Sequence, residues 1–484
     1  MKIRNLEPVQ LWSHFADLNA VPRPSKKEGR VIAFMMDFGK SLGLETIKDK
    51  IDNVIIKKPA SLGMENRKTI VLQSHLDMVH QKNGDTVFDF DNQGIEMLID
   101  GDWVTANGTT LGADNGIGVA TMMALLASTD IPHPPLEALF TIDEETGMTG
   151  AIHLDPTVIS GTILLNLDTE DDDELSIGCA GGIDTNSAFC YGESLVADSE
   201  ACIEITIKGL LGGHSGMDIH RGRGNANKIM TRIIKHVLDT CVVRLASFDG
   251  GSLRNAIPRE AKAKIIFNHT HSDLIKGLIS DFSAELKTEL KTNEPAMVID
   301  LDFVDAPKMA SSVEDTNKMI SALYAVVNGV YRMSPDIEGL VEASSSLARV
   351  IVAEGSFTTQ SLQRSSVDSS KKDIANMVKS TFELIGCLVV QGGDYPGWSP
   401  NANSEILTIM RDLYVKRYNE LPKIKACHAG LECGILGKHF PTMDMISFGP
   451  NIRAAHSPDE KVQISSVQKY WGYLLETLQE IPLN

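Results

Sequence analysis

Three apolar runs of strand length, each emptying into residues that can bind a metal ion, constrain this chain more than any other feature. RKTIVLQ leads into SHLDMVH, LEALFTI at 136–142 leads into Asp143, Glu144 and Glu145, and GTILLNL at 161–167 leads into Asp168 and TEDDDE. Continuous apolar runs of this length suit strands buried on both faces, which belong to parallel sheets covered by helices. Between the first two runs, VATMMALLAS reads as a helix that starts just beyond Asp114, after the glycine-rich stretch DGDWVTANGTTLGADNGIG. Ligands of such sheets gather beyond the carboxyl ends of the strands. All three runs carry their acids there.

The remaining chain divides by style. Near the N-terminus, Leu6, Val9, Leu11, Trp12 and Phe15 are spaced like one helix face, and PRPS at 22–25 breaks it. Ser25 and Glu28 have the capping-box spacing, which predicts a helix from about Lys26 to Leu42. LETIKDKIDNVIIKK alternates like paired strands. Past about residue 185 the order becomes strand CIEITIKG, helix NANKIMTRIIKHVL, strands CVVRLASF and AKAKIIF, and helix LIKGLISDFSAELKTEL. A similar order from 297 (MVIDLDFV, NKMISALYAVV, SSLARVIVAE, FTTQSLQ, KKDIANMVKSTFELIGCLVV) suggests an internal duplication. After the Gly/Pro/Ser-rich junction at 392–404, the α/β style resumes with SEILTIMRDLYVKRY, KIKAC, HAGLECGILGKH and MDMISFG, a loop carrying His456, and a terminal helix near SVQKYWGYLLETLQEI. The expected fold class is α/β. A mostly parallel sheet sandwiched by helices is built from 1–185 and 391–484, and an α+β domain at 186–390 is inserted into it.

Composition narrows the function. A chain of 484 residues with 43% hydrophobic content needs more than one core. MKIRNLEPVQLWSHF lacks the apolar region of a secretory signal and no run reaches membrane-span length, so a cytoplasmic protein without membrane contact is expected. Seven scattered cysteines without a CxxC pair argue against disulfides and against a cysteine zinc site. A net charge of -19 disfavours nucleic acid as a partner. HExxH, GxSxG and GxxxxGK[ST] motifs are absent.

In chain order the chemically useful residues are His75, Asp77, Asp114, Glu144, Glu145, Asp168 and His456. Singly, each has a plain reading, such as a helix cap for Asp114 or a turn acid for Asp168. Together they are the inventory of a two-metal hydrolase. Imidazole with carboxylate suits zinc, or cobalt or manganese as substitutes. On a continuing strand, His75 and Asp77 share a face, so the acid can orient the ring. Asp114 is assigned as the carboxylate bridging two ions. Three ligand carboxylates against two dications leave one positive charge for a hydroxide to neutralise, which frees Glu144 for proton transfer. On an extended segment adjacent residues face opposite ways, so Glu145 binds metal while Glu144 faces the water.

The series SHLDMVH, GADNGIG, DEETG, NLDTED and AAHSPDE resembles the dinuclear zinc exopeptidases of the aminoacylase and carboxypeptidase-like family. KGLLGGHSGMDIHRGRGNAN and CHAGLECG resemble the branch of that family acting on Xaa-His dipeptides. The motifs run end to end in family order. The resemblance implies that His75, Asp114 and Asp168 hold one ion and that Asp114, Glu145 and His456 hold the other. It implies Glu144 as general base and Asp77 as the acid beside His75. It further implies that the inserted segment is a lid mediating homodimerisation, from which His214 reaches a neighbouring active site to stabilise the oxyanion. For substrate contacts, His428 and Glu432 stand at i, i+4, and Asn255 and Arg364 offer partners for a carboxylate. His80 and the run Asp171 to Glu174 read as structural. The expected activity is hydrolysis of Xaa-His and other unblocked dipeptides. The alternatives are an N-acyl amino acid deacylase or aminotripeptidase, or a non-catalytic dimeric binding protein with a structural metal.

Overall fold

The computed structural model describes residues 2–335 and 337–484. It divides into two compact units, Met1–Gly178 with Trp398–Ala426 and Leu431–Asn484, and Cys179–Gly397 with Cys427–Gly430. The inserted unit thus begins before the expected 186 and ends after the expected 390, because the strands Gly181–Cys190 and Leu388–Tyr395 belong to its sheet.

The first unit is built on an eight-stranded sheet in the order 45–48, 54–58, 136–141, 70–75, 163–166, 444–447, 174–179, 423–427. Its four central strands are parallel, and antiparallel strands flank them. Every residue of Ile70–His75, Leu136–Thr141 and Ile163–Asn166 is buried, as their unbroken apolar character requires. Helices cover both faces. Gly118, in the helix Ala113–Ala127, abuts Ser74 on one face of the strand, while Gln73 on the other face bonds Glu432 at the start of the helix Glu432–His439. Trp12, Phe15, Leu111, Ile117 and Val467 pack into one apolar cluster against the first face's helix.

One helix starts later than its capping signal predicts. It spans Gly29–Ser41, and Ser25 does not cap it. The Ser25 hydroxyl donates instead to the Met78 carbonyl at 3.1 Å, and Glu28 accepts the Lys26 N–H at 3.0 Å. The segment is held by the loop after His75, a tertiary demand that local spacing does not encode.

The second unit is a nine-stranded sheet ordered 298–304, 200–208, 261–268, 244–250, 341–353, 356–365, 181–190, 388–395, with 329–333 also pairing with 341–353. It holds two copies of one strand–helix–strand–strand–helix–strand module. The first copy comprises 200–208, helix 226–238, 244–250, 261–268, helix 272–290 and 298–304. The second comprises 181–190, helix 313–325, 341–353, 356–365, helix 368–383 and 388–395. Both order their strands fourth, first, third, second from the outer edge, and they meet where the second strands pair. The repeat of elements in this sheet has other boundaries than the one suggested by the sequence. MVIDLDFV closes the first copy instead of opening the second, whose opener Gly181–Cys190 lies before the whole first copy. CLVV is likewise not helical. The helix ends at Glu383, Gly386 takes φ 90°, and Leu388–Tyr395 is an edge strand.

Candidate metal centre

The ends of three adjacent parallel strands bring the acids together. His75 terminates Ile70–His75 and pairs with Thr141 across the sheet, while Asp168 follows the end of Ile163–Asn166. Past Thr141 the backbone turns at Asp143 (φ 55°) into a single helical turn, Glu144–Gly147. Glu144 and Glu145 therefore diverge by about 100° around a helix, not by the strand alternation expected from sequence. Asp77 also lies beyond the strand end, and the turning chain returns it to His75. Asp114 sits in a non-helical kink at the head of Ala113–Ala127, joined to Asn115 by a cis peptide.

Asp114 turns one oxygen to each imidazole. His75 Nε2 lies 3.1 Å from Asp114 Oδ1 and 3.6 Å from Asp168 Oδ1. His456 Nε2 lies 3.1 Å from Asp114 Oδ2 and 3.0 Å from Glu145 Oε2. Behind the ring, His75 Nδ1 meets the Asp77 carbonyl at 3.1 Å and its Oδ1 at 3.4 Å. A ring donating from Nδ1 aims the Nε2 lone pair at carboxylate oxygens, which is repulsive unless a cation or second proton lies between. Glu145 Oε1 is buried without a partner. Two imidazole nitrogens and three carboxylates therefore fit a pair of divalent ions.

Electrostatics agree with that fit. Hydrogen bonds that Asp114 and Glu145 accept from its ring hold the His456 pKa up to about 11. Burial opposes charge on His75, but Asp168, Asp114 and Asp77 outweigh it and raise its pKa well above the usual value. Burial pushes Asp168 up to about 6, Glu170 to about 8 and Glu432 to about 7, and it drives Glu144 well above the carboxylate range. Crowded carboxylates without a matching cation are what divalent ions relieve. A second acidic group, Glu28, Asp77 and Asp143, is already engaged. Lys26 pairs with Asp143, and Asp77 accepts the N–H groups of Glu144 at 3.0 Å and Glu145 at 3.3 Å.

Two residues that shape this centre were not singled out from sequence. Glu460 accepts four backbone N–H groups, from Leu111 (2.7 Å), Gly112 (2.9 Å), Ala113 (2.8 Å) and Asp114 (3.1 Å). Arg23 is buried and donates to the carbonyls of Leu76 (3.1 Å), Asp77 (3.1 Å) and Gly112 (2.6 Å). It ties the loop of the first strand to the loop of Asp114. Glu460 closes AAHSPDE and Arg23 lies between the prolines of PRPS, so both were in view as motif letters without a role.

In the first unit, Glu432 Oε2 accepts the Thr141 hydroxyl at 2.7 Å and Gln73 Nε2 at 2.5 Å. His428 belongs to the second unit and precedes the helix Glu432–His439, so the i, i+4 spacing does not put it on a helix face with Glu432. Its Nε2 lies 2.7 Å from Ser344 Oγ, and burial with nearby Arg364 lowers its pKa to about 3. His214 Nδ1 accepts the N–H groups of Gly216 (3.1 Å) and Met217 (3.0 Å). That fixes a neutral ring with its proton on Nε2, and burial with Arg364 lowers the pKa to about 4. Arg364 is 5% exposed, donates to the Tyr395 hydroxyl at 2.8 Å, and leaves a buried Nε without a partner. Asn255 has an exposed side chain, and its carbonyl accepts the Ser215 N–H at 2.8 Å. His80 is exposed against Phe90, and Asp171, Asp172, Asp173 and Glu174 pair with Arg453, Lys469, Lys423 and Lys425.

A family profile described as a peptidase dimerisation domain matches residues 205–294. The cytosol non-specific dipeptidase of Escherichia coli K12 is 43% identical over 481 residues, covering 99% of both chains. A solved aminoacylhistidine dipeptidase from Vibrio alginolyticus is 44% identical with a TM-score of 0.94, covering 100% of this chain and 99% of that one. An M20 family metallo-carboxypeptidase from Sulfolobus solfataricus has the fold at a TM-score of 0.52 and 14% identity, covering 98% and 99%.

Proposed function

Because this chain belongs to the M20 family of metallopeptidases, we propose that its acid-ended strands are the two-metal centre of an aminoacyl-histidine dipeptidase with tolerance for other unblocked dipeptides. The protein is a metal-dependent dipeptidase. Zinc is our choice of ion, with cobalt or manganese as substitutes, on the mixed imidazole and carboxylate donor set. The name of the E. coli relative supports a cytosolic location, and among the described residues no helix is long and apolar enough to cross a membrane. The dimerisation profile supports a homodimer through the inserted unit.

The observation that carries the reading is Asp114, with one oxygen 3.1 Å from each imidazole. His75, Asp114 and Asp168 would hold one ion, and Asp114, Glu145 and His456 the other. Bound there, the pair supplies Lewis acidity toward the scissile carbonyl and the attacking water. Glu144 takes the proton from that water at its carboxylate and returns it to the departing amine. Asp77 keeps the His75 ring in the tautomer that leaves Nε2 free, and its grip on the N–H groups of Glu144 and Glu145 sets their turn. His214, neutral with a proton on Nε2, suits a donor to the developing oxyanion. Arg364 and Asn255 are assigned to the substrate carboxylate on their chemistry.

Glu144→Gln is expected to keep near-native metal content while turnover of Ala-His falls by roughly 100-fold or more. Normal turnover would end the assignment of the base. The wild-type enzyme should cleave Ala-His and Ala-Ala but leave an N-acetyl amino acid and a tripeptide intact. Preference for either of the latter would replace the dipeptidase reading with a deacylase or aminotripeptidase.

A further inference from the structure

His214 sits in a segment, 209–225, whose only helical or strand element among the described residues is the single turn Ile219–Arg221. Just before the histidine, Gly212 and Gly213 take φ 66° and 129°, backbone that glycine adopts freely and that costs the most entropy to hold. Bonds inside the loop set the ring. Nδ1 accepts the N–H groups of Gly216 and Met217, and Asp218 Oδ2 accepts the His214 N–H at 2.9 Å. These fix the imidazole to the loop, but not the loop to the rest of its unit. Two backbone bonds fasten its middle, from the Ser215 N–H to the Asn255 carbonyl and from the Ile257 N–H to the Gly213 carbonyl, both at 2.8 Å.

The neck of the loop is closed by one side chain. Glu294 Oε2 accepts the Leu211 N–H at 2.7 Å and its Oε1 accepts the Gly224 N–H at 2.8 Å, so a single carboxylate draws the entering and leaving chain together. Its own N–H donates to the Leu290 carbonyl at 2.8 Å, which holds it at the end of the helix Ser272–Leu290. Asn293 beside it donates to the Gly222 carbonyl at 2.8 Å. Glu294 is 3% exposed, and no Lys, Arg or His among the described residues pairs with it. Burying a carboxylate without a cation costs desolvation energy. Two charge-assisted bonds to backbone N–H groups offset that cost, and they give both ends of the loop one fixed point to meet.

We propose that Glu294 is a positioning residue for His214, holding the neck of its loop closed so that the proton on Nε2 is presented at one place. The inference rests on the reading of His214 as the oxyanion donor and adds the residue that sets it.

A double-mutant cycle on Ala-His hydrolysis tests it. Glu294→Gln keeps the side chain's size but turns an NH2 group toward one of the two N–H donors, so one end of the neck is released. Its kcat is expected to fall about 10- to 100-fold, with KM and metal content within about twofold of wild type. In a His214→Ala background the same substitution is expected to cause no further loss, because the group it positions is gone. If Glu294→Gln does not fold, Glu294→Asp, which keeps both oxygens and shortens their reach by one carbon, carries the same cycle. An unchanged kcat in His214→Ala alone would end the reading of that histidine and this proposal with it. A fall in His214→Ala that Glu294→Gln does not share would leave the histidine's role standing and overturn the role of Glu294. So would an equal loss from Glu294→Gln in both backgrounds, or a rise in KM with kcat unchanged.

Discussion

His428 shows how a single buried ring makes this protein sensitive to acid. Its folded pKa is lowered to about 3 by burial beside Arg364, against about 6.5 in an unfolded chain. Below that unfolded value the unfolded chain takes up a proton that the folded ring refuses. Stability is therefore intact above about pH 6.5 and declines as pH falls toward 3, by up to about 1.4 kcal/mol per pH unit from this group. His428→Gln should flatten the fall in Tm between pH 6.5 and 4 relative to wild type. Identical slopes would show that the ring is not held neutral. The residues proposed for the metal centre could be picked out one by one, because His, Asp and Glu at strand ends announce their chemistry by type and position. Glu460 and Arg23 were not, since both act on backbone groups of distant loops, and a residue's letter does not name the carbonyl or N–H it will meet.

At the level of elements, apolar continuity identified the central strands, because burial on both faces leaves only one kind of sequence. It failed where tertiary partners decide. Ser25 was drawn from its cap position to the Met78 carbonyl, and Glu144 and Glu145 entered a helical turn after Asp143 where an extended segment was expected. The close approach of the helix Ala113–Ala127 to the strand ending in His75 depends on Gly118, where a Cβ would lie 2.4 Å from Ser74 Oγ and 2.5 Å from Asn115 Oδ1. Asn115 follows Asp114 directly and donates to the Leu167 carbonyl at 2.7 Å. Gly118→Ala is accordingly expected to destabilise the protein by about 1–3 kcal/mol in urea titrations and to weaken metal binding measured by calorimetry. Unchanged affinity would mean that the kink holding Asp114 is independent of this packing.

The whole molecule is a discontinuous α/β unit interrupted by a module pair, and sequence conveyed the interruption better than the pairing. Five elements recurred in order, but the opener of the second copy lies upstream of the first, so no linear comparison of adjacent segments aligns it. That nesting bears on catalysis. The second copy runs at both ends into the first unit, at Gly178 and Trp398, whereas the first copy, which carries His214, is joined at both ends to the second. The module that a partner chain would contribute is already present in the same polypeptide. Specific activity toward Ala-His is therefore expected to stay nearly constant as the protein is diluted until its subunits separate. A fall of about 100-fold, comparable to loss of an oxyanion donor, would instead assign the work of His214 to the neighbouring subunit.

Nesting also imposes a timetable on synthesis. Gly181–Cys190 leaves the ribosome early, yet its partner Ser356–Ser365 follows only after the entire first copy has been made. At translation rates of about 5–20 residues per second, that strand waits on the order of ten to thirty seconds with both flanks unpaired, since its other neighbour, Leu388–Tyr395, follows later still. During the same interval the first copy acquires all six of its elements and can close on itself. The order of birth thus makes the earlier-finished module a template, waiting with its inner edge open for the strand that completes the sheet.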